Sequence, residues 1–197
     1  MRYLGSKCKR CRAVGQSVCG RVKCAILRKP SPPGQHGAAR KKKSDFALQL
    51  AEKQKIRWTY DVSERQFYSV YEEASRAKGV TGTIMLQILE SRLDNIVFRS
   101  NLAGSRAHAR QLISHGHVLL NGNRVTVPSI RTKLGDKITI RDKSKSQLKD
   151  AHKAAVIVPE WIAAEEKSME ASITMIPTRE QLDQSFNEHL VIEYYSR

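Results

Sequence analysis

From Ser44 onward the apolar residues recur at the three- and four-residue spacing of helices with one buried face. Ser44 or Asp45 can cap a helix through about Tyr60, with Phe46, Leu50 and the stem of Lys53 on one side. Ser63 followed by Gln66 is a capping-box signature for a second helix. Its stripe is Phe67, Val70, Tyr71, Ala74 and Ala77, and Gly79 stops it. A third helix is predicted from Thr81 or Thr83 to about Phe98, with Ile84, Ile88, Leu89, Leu93 and Ile96 inward. A fourth runs from Arg106 to His115, capped by Ser105, buried along Ala109, Leu112 and Ile113, and ended by Gly116.

The period then changes. His117 to Leu120 and Arg124 to Val127 read as a hairpin, because Asn121-Gly122 supplies the positive φ angles of a tight turn. Leu134-Gly135-Asp136 turns into an alternating strand from Lys137 to Arg141. Residues 144–154 suit a polar helix, Val156 to Val158 a short strand ended by Pro159, and Ser172 to Ile176 another strand. The tail from Asn187 to Arg197 carries Leu190, Val191, Ile192 and two tyrosines, so it is expected to dock. No internal repeat is visible, and the pattern predicts an α+β fold.

The first 45 residues have neither period, and structure there needs another organiser. Cys8, Cys11, Cys19 and Cys24 form C-x2-C-x7-C-x4-C in a segment too polar for a core of its own. Four thiolates within 17 residues can close a tetrahedral shell around one structural zinc ion. Lys7, Lys9, Arg10, Arg12, Arg21 and Lys23 would favour the thiolates. Four unligated thiols and an iron–sulfur cluster are the weaker alternatives, the latter because this cationic loop is a poor shield for a redox centre. Catalytic zinc ranks lower still, since four cysteines leave no open position. No apolar core of a signal peptide is present, so a reducing compartment is expected and the cysteines are not expected to pair.

Charge changes the picture more than composition does. The chain has 35 Lys and Arg against 19 Asp and Glu, a net +16, which draws polyanions over distance. Residues 1 to 60 hold 16 of the basic residues and only Asp45 and Glu52, hence +14 of that total. Nucleic acid is therefore the leading partner. A membrane is disfavoured, since no run of 18 apolar residues occurs. Pro33-Gly34-Gln35-His36-Gly37, followed by Arg40, Lys41, Lys42 and Lys43, joins a rigid turn to phosphate donors. Arg106 and Arg110 stand four apart and are expected to share an exposed helix face, with Arg99 and Arg124 beside it and His115, His117 and Asn121 as weaker candidates.

Several stretches resemble a known family, that of small-subunit ribosomal protein four. They are Arg2-Tyr3-Leu4-Gly5, Pro33 to Gly37, Glu52-Lys53-Gln54-Lys55, Glu64 to Phe67, Glu90-Ser91-Arg92-Leu93-Asp94-Asn95, Ala109 to Leu112, Val118 to Gly122, and Asn187 to Leu190, in the family's order. The resemblance implies three regions: a zinc knuckle and basic loop over 1–45, a helical domain over 46–90 completed by 176–197, and an inserted RNA-binding module with following short strands over 91–175. The module would pack helices on a small antiparallel sheet. It also implies early binding to the 5′ domain of small-subunit rRNA that nucleates assembly. Proximity to the mRNA entrance, contact with ribosomal protein five of the same subunit, an effect on decoding accuracy and, in some members, binding of the protein's own mRNA are further implications. The implied location is the small ribosomal subunit in the cytoplasm, with an organellar ribosome as the alternative. Arg2, Lys53, Lys55 and Arg92 join the RNA-contact candidates on this ground, as do Lys7, Lys9, Arg10, Arg12 and Arg21, and Arg40 to Lys43 match the mRNA-facing residues. The chain is similar to the zinc-bearing members, but seven residues between its cysteine pairs are fewer than expected. The knuckle is then compact, or the fourth ligand differs.

Two other function classes share features with this sequence. The same module also occurs beside catalytic domains of pseudouridine synthases and tyrosyl-tRNA synthetases. Here, however, there is no nucleotide-binding Gly loop, no nucleophile with a base and no paired carboxylates in an apolar setting, and Glu165 and Glu166 read as a solvated helix or loop face. A zinc-dependent DNA-binding regulator would need a base-reading helix after the cysteines, where Pro30 to Gly37 stands instead. An rRNA-binding protein without catalytic activity is the expectation.

Overall fold

The computed structural model describes residues 3, 5–20, 23–37, 39, 42, 44–149, 157–165 and 168–196. Among them are eight α-helices and one antiparallel sheet of five strands, an α+β fold. The chain divides into two compact units, Met1–Ile84 with Asp183–Arg197, and Met85–Leu182.

The first unit begins with helix α1, Lys7–Val14, in the segment where no helix is predicted. Only Cys11 of α1 is buried, so it has no apolar stripe to read; Gly15, at φ 80°, closes it by donating to the Cys11 carbonyl. Helix α2, Asp45–Thr59, starts where Ser44 accepts from the Ala47 amide. Helix α3, Glu64–Arg76, has the expected capping box between Ser63 and Gln66. It ends at Arg76, ahead of Gly79. The tail docks as helix α8, Glu188–Tyr195, on α2: Gln49 donates to Glu193 at 2.9 Å, and the Asn187 amide to Glu52 at 2.9 Å.

The predicted third helix is two helices, α4 (Thr81–Glu90) and α5 (Leu93–Arg99). Distant backbone breaks it: the Leu93 amide donates to the Ile130 carbonyl at 2.8 Å, Asp94 to Pro128 at 3.1 Å, and Arg92 bridges Arg131. In the second unit α6, Arg106–Ser114, leads into β1 (Val118–Leu120) and β2 (Asn123–Val125). Their turn has Asn121 at φ 51° and Gly122 at φ 81°, as a tight hairpin needs. β3 (Lys137–Ile140) is followed by α7 (Asp142–Lys149), β4 (Ile162–Glu165) and β5 (Glu170–Ile173), in sheet order β2-β1-β3-β5-β4. Two strand expectations are corrected. Ile157 and Val158 form no strand, Val156 lies outside the described residues, and β5 lies two residues before the predicted start at Ser172. The unpredicted β4 is alanine-rich, a composition that favours strands poorly, and its pairing with β5 holds it; Glu165 is thus on a strand. The core joins Leu93, Ile96, Val97, Ala109 and Ile113 to Val118, Ile138, Ile140, Trp161 and Ile173.

Candidate metal centre and nucleic-acid interface

Cys11, Cys19 and Cys24 are brought together, with their sulfurs within 4.8 Å of one another. A zinc ion holding thiolates at about 2.3 Å separates their sulfurs by roughly 3.8 Å, so the three need only a small contraction. Burial pushes the Cys11 thiol up to about 12, against a backbone hydrogen bond from Val18. For Cys24 burial also raises the pKa, but hydrogen bonds from Ile26, Ser17, Cys19 and Cys11 outweigh it and hold the thiol below its ordinary value. Backbone N–H groups aimed at sulfur stabilise the charged form. The donor set therefore fits a metal. Cys8 is half-buried one turn before Cys11 on α1 and stands outside the close trio. Among the described residues the surrounding apolar cover is small: Val18 and Ile26 are buried, with Val14 and Trp58 against them.

The basic residues around this cluster divide by role. Arg10 donates to Asp61 at 3.3 Å and stacks over Tyr3 at 3.5 Å, with Trp58 at 5.5 Å, while Lys7 pairs with Asp61 at 3.7 Å. Arg12 donates to the Lys29 carbonyl. Lys9, Gln35, His36 and Lys42 are exposed, and so are Lys23, Arg28 and Lys29. Arg2, Arg21, Arg40, Lys41 and Lys43 lie outside the described residues. Lys53 and Lys55 are turned inward. Lys53, 4% exposed, pairs with Glu64 at 2.7 Å and lies over Tyr194, while Lys55 bonds Glu52 and the Ser185 carbonyl.

The expected exposed face of α6 is corrected by the structure, because α5 supplies partners that sequence spacing does not reveal. Arg106 is 8% exposed, donates to Asn95 at 2.8 Å and covers the Phe98 ring at 4.5 Å. Both Nε and Nη2 of Arg110 donate to one oxygen of Asp94, at 3.2 and 2.7 Å. Arg92 forks the same carboxylate at 3.1 and 3.0 Å. Arg99 forks Glu90 at 3.2 and 2.6 Å, and Asn95 links Glu90 to Arg106. Beyond α6, His115 and Arg124 are exposed, and Arg124 donates to the His115 carbonyl. Gly116, at φ 73°, leaves the space in which that guanidinium lies. His117 bonds Ser144 at 2.8 Å. The Asn121 amide ties the hairpin to Asp136 and Lys137.

Comparison with known proteins gives the family. The family described as "Ribosomal protein S4/S9 N-terminal domain" matches residues 2–90, and the "S4 domain" matches 91–138. The small ribosomal subunit protein uS4 of Gloeobacter violaceus is 46% identical over 204 residues, spanning 100% of this chain and 99% of the relative. Proteins of the same name from Clostridioides difficile and Thermus thermophilus are 45% and 46% identical over 205 and 208 residues, with the same shares covered. The chain belongs to the uS4 family.

Members of the uS4 family are structural ribosomal proteins, not enzymes. The boundary between the two matched regions, Glu90 to Ser91, falls at the break between α4 and α5. Among the described residues no helix is long and apolar enough to cross a membrane. Exposed Lys133 and Lys137 on the S4-domain match, and Arg28 and Lys29 after the cysteines, were not singled out by sequence reasoning. Cations in loops, such as Arg28, Lys29 and Lys133, or at the start of a strand, as Lys137, carry no periodic signal; only their nearness to the cysteines and the hairpin could have marked them.

Proposed function

We propose that the chain is a structural rRNA-binding protein of the cytoplasmic small ribosomal subunit, an early binder of the 5′ domain whose docking nucleates assembly. The observation that carries the reading is the end-to-end match to uS4 proteins at about 45% identity, on a chain of net +16. Its regions are the knuckle and basic loop (1–45), the helical domain (46–90 with 176–197) and the inserted RNA-binding module (91–175). One structural zinc is held by Cys11, Cys19 and Cys24, with Cys8 as the fourth ligand. Its role is to order a segment with little apolar cover.

RNA contact is made by exposed groups first: Lys9, Gln35, His36, Lys42, His115 and Arg124, with Arg2, Arg21 and Arg40 to Lys43 completing the N-terminal surface. Arg99 and Arg110 contribute while ion-paired. Lys7, Arg10, Arg12, Lys53, Lys55, Arg92, Arg106 and His117 act from within, by holding these surfaces in shape, and exposed Asn121 joins the contacts from the hairpin turn. Arg40 to Lys43 face mRNA at its entrance, and contact with ribosomal protein five links the chain to decoding accuracy. Binding to its own mRNA uses the same surface.

Chemical footprinting of small-subunit rRNA tests the proposal. Protection confined to the 5′-domain junction supports it, and scattered or absent protection rejects it.

A further inference from the structure

We infer that the two buried carboxylates, Glu90 and Asp94, are positioning residues for RNA, holding the guanidinium groups of Arg99 and Arg110 in the pose in which they meet phosphate. The inference rests on the proposed RNA-binding reading. An acid beside a phosphate-binding face weakens the attraction for that ligand, so its presence there calls for a geometric reason. Both acids are almost wholly buried, and both engage guanidinium groups in a repeated way. Each takes the Nε and Nη2 atoms of one arginine, Glu90 from Arg99 and Asp94 from Arg110.

Each of the two arginine side chains stays partly open, at 21% for Arg99 and 23% for Arg110. The network is continuous: Asp94 neighbours Asn95, which bonds both Glu90 and Arg106, and Arg106 stands one turn from Arg110 on α6. Arg92, Arg99, Arg106 and Arg110 outnumber Glu90 and Asp94 in these contacts, which favours an anion at this face. An arginine already fixed by a carboxylate loses little rotamer freedom when phosphate arrives.

A double-mutant cycle on the full, metal-loaded chain decides it, with affinity for a transcript of the rRNA 5′ domain measured over a salt series and each variant's melting recorded. Arg110→Ala is expected to weaken binding and lower the salt slope by about one unit. Asp94→Asn adds a positive charge, so electrostatics alone predicts tighter binding. Positioning predicts about tenfold weaker binding without a lower slope. It also predicts little further effect of Asp94→Asn in the Arg110→Ala background. Equal or tighter binding by Asp94→Asn, or the same loss in both backgrounds, overturns the inference.

Should Asp94→Asn melt below the assay temperature, Arg110→Lys decides instead. It keeps the charge but not the fork, and is expected to bind less tightly; wild-type affinity would reject positioning. If Arg110→Ala changes neither affinity nor slope, RNA contact at this face fails and the inference falls with it.

Discussion

The cysteine segment and the α4–α6 region are both rich in cations, yet they order them by opposite means. Among the described residues around the cysteines the buried apolar set is Cys11, Val18, Cys24 and Ile26, and Lys9, Lys23, Arg28 and Lys29 remain exposed. In the second unit sixteen buried residues form a continuous core, and the arginines beside it turn onto carboxylates. Where apolar burial is scarce, three sulfurs close enough to share a metal stand in place of a core, and several cations stay outward while Lys7 and Arg10 share Asp61. Where it is plentiful, the fold can hold charges inside and fix their direction.

Metal removal should separate the two regions most sharply. The chain has two tryptophans, Trp58 against the cysteine cluster and Trp161 in the second core, so Trp161→Phe leaves a reporter of the first region alone. Chelation should abolish the Trp58 signal of the folded segment, since structural zinc supplies about 10–16 kcal/mol to zinc-finger peptides. The second unit's hydrogen-exchange protection should stay unchanged. Joint loss of both would end the contrast.

A smaller effect comes from the other side. Ile113→Ala, in the second core, should cost about 2–5 kcal/mol in denaturant unfolding while metal content per chain stays the same. A fall in bound metal would show that the two regions are not organised independently.

The smallest effect is a pH window on the docking of α8. Burial alone would raise the pKa of Glu64, but Lys53, Tyr195 and Arg57 hold it below its ordinary value of 4.5. Its contribution is complete above that value and is lost as pH falls through the lower folded-state one. Burial and the bond to Glu64 raise Tyr195 above its ordinary value of 10.0, so its contribution is complete below 10.0 and fades as pH rises past it. Melting temperature against pH should therefore fall at both ends, Glu64→Gln flattening the acid limb and Tyr195→Phe the alkaline one. Flat limbs in the wild type would remove these groups from the docking.

Much of the fold was legible because its signals are local. Ser44 and the Ser63–Gln66 box lie within three residues of the amides they serve, and Asn121-Gly122 states its own turn. The break at Ser91 was not legible, because Ile130 and Pro128 make it from more than thirty residues away. The site divided in the same way. Cysteine spacing pointed to a metal shell, but not to which three sulfurs meet. The spacing of Arg106 and Arg110 gave a shared helix face, and only the packing of α5 reveals that Asn95 and Asp94 occupy it.

Among the described residues the edge strands of the sheet are β2 and β4, of three and four residues. Arg124 sits on one, and on the other Glu165 stands directly across from Glu170. Short, charged edges offer a poor template for another chain's strand. Side-by-side growth of the sheet from one copy of the chain to the next is therefore disfavoured at both ends by length and by charge.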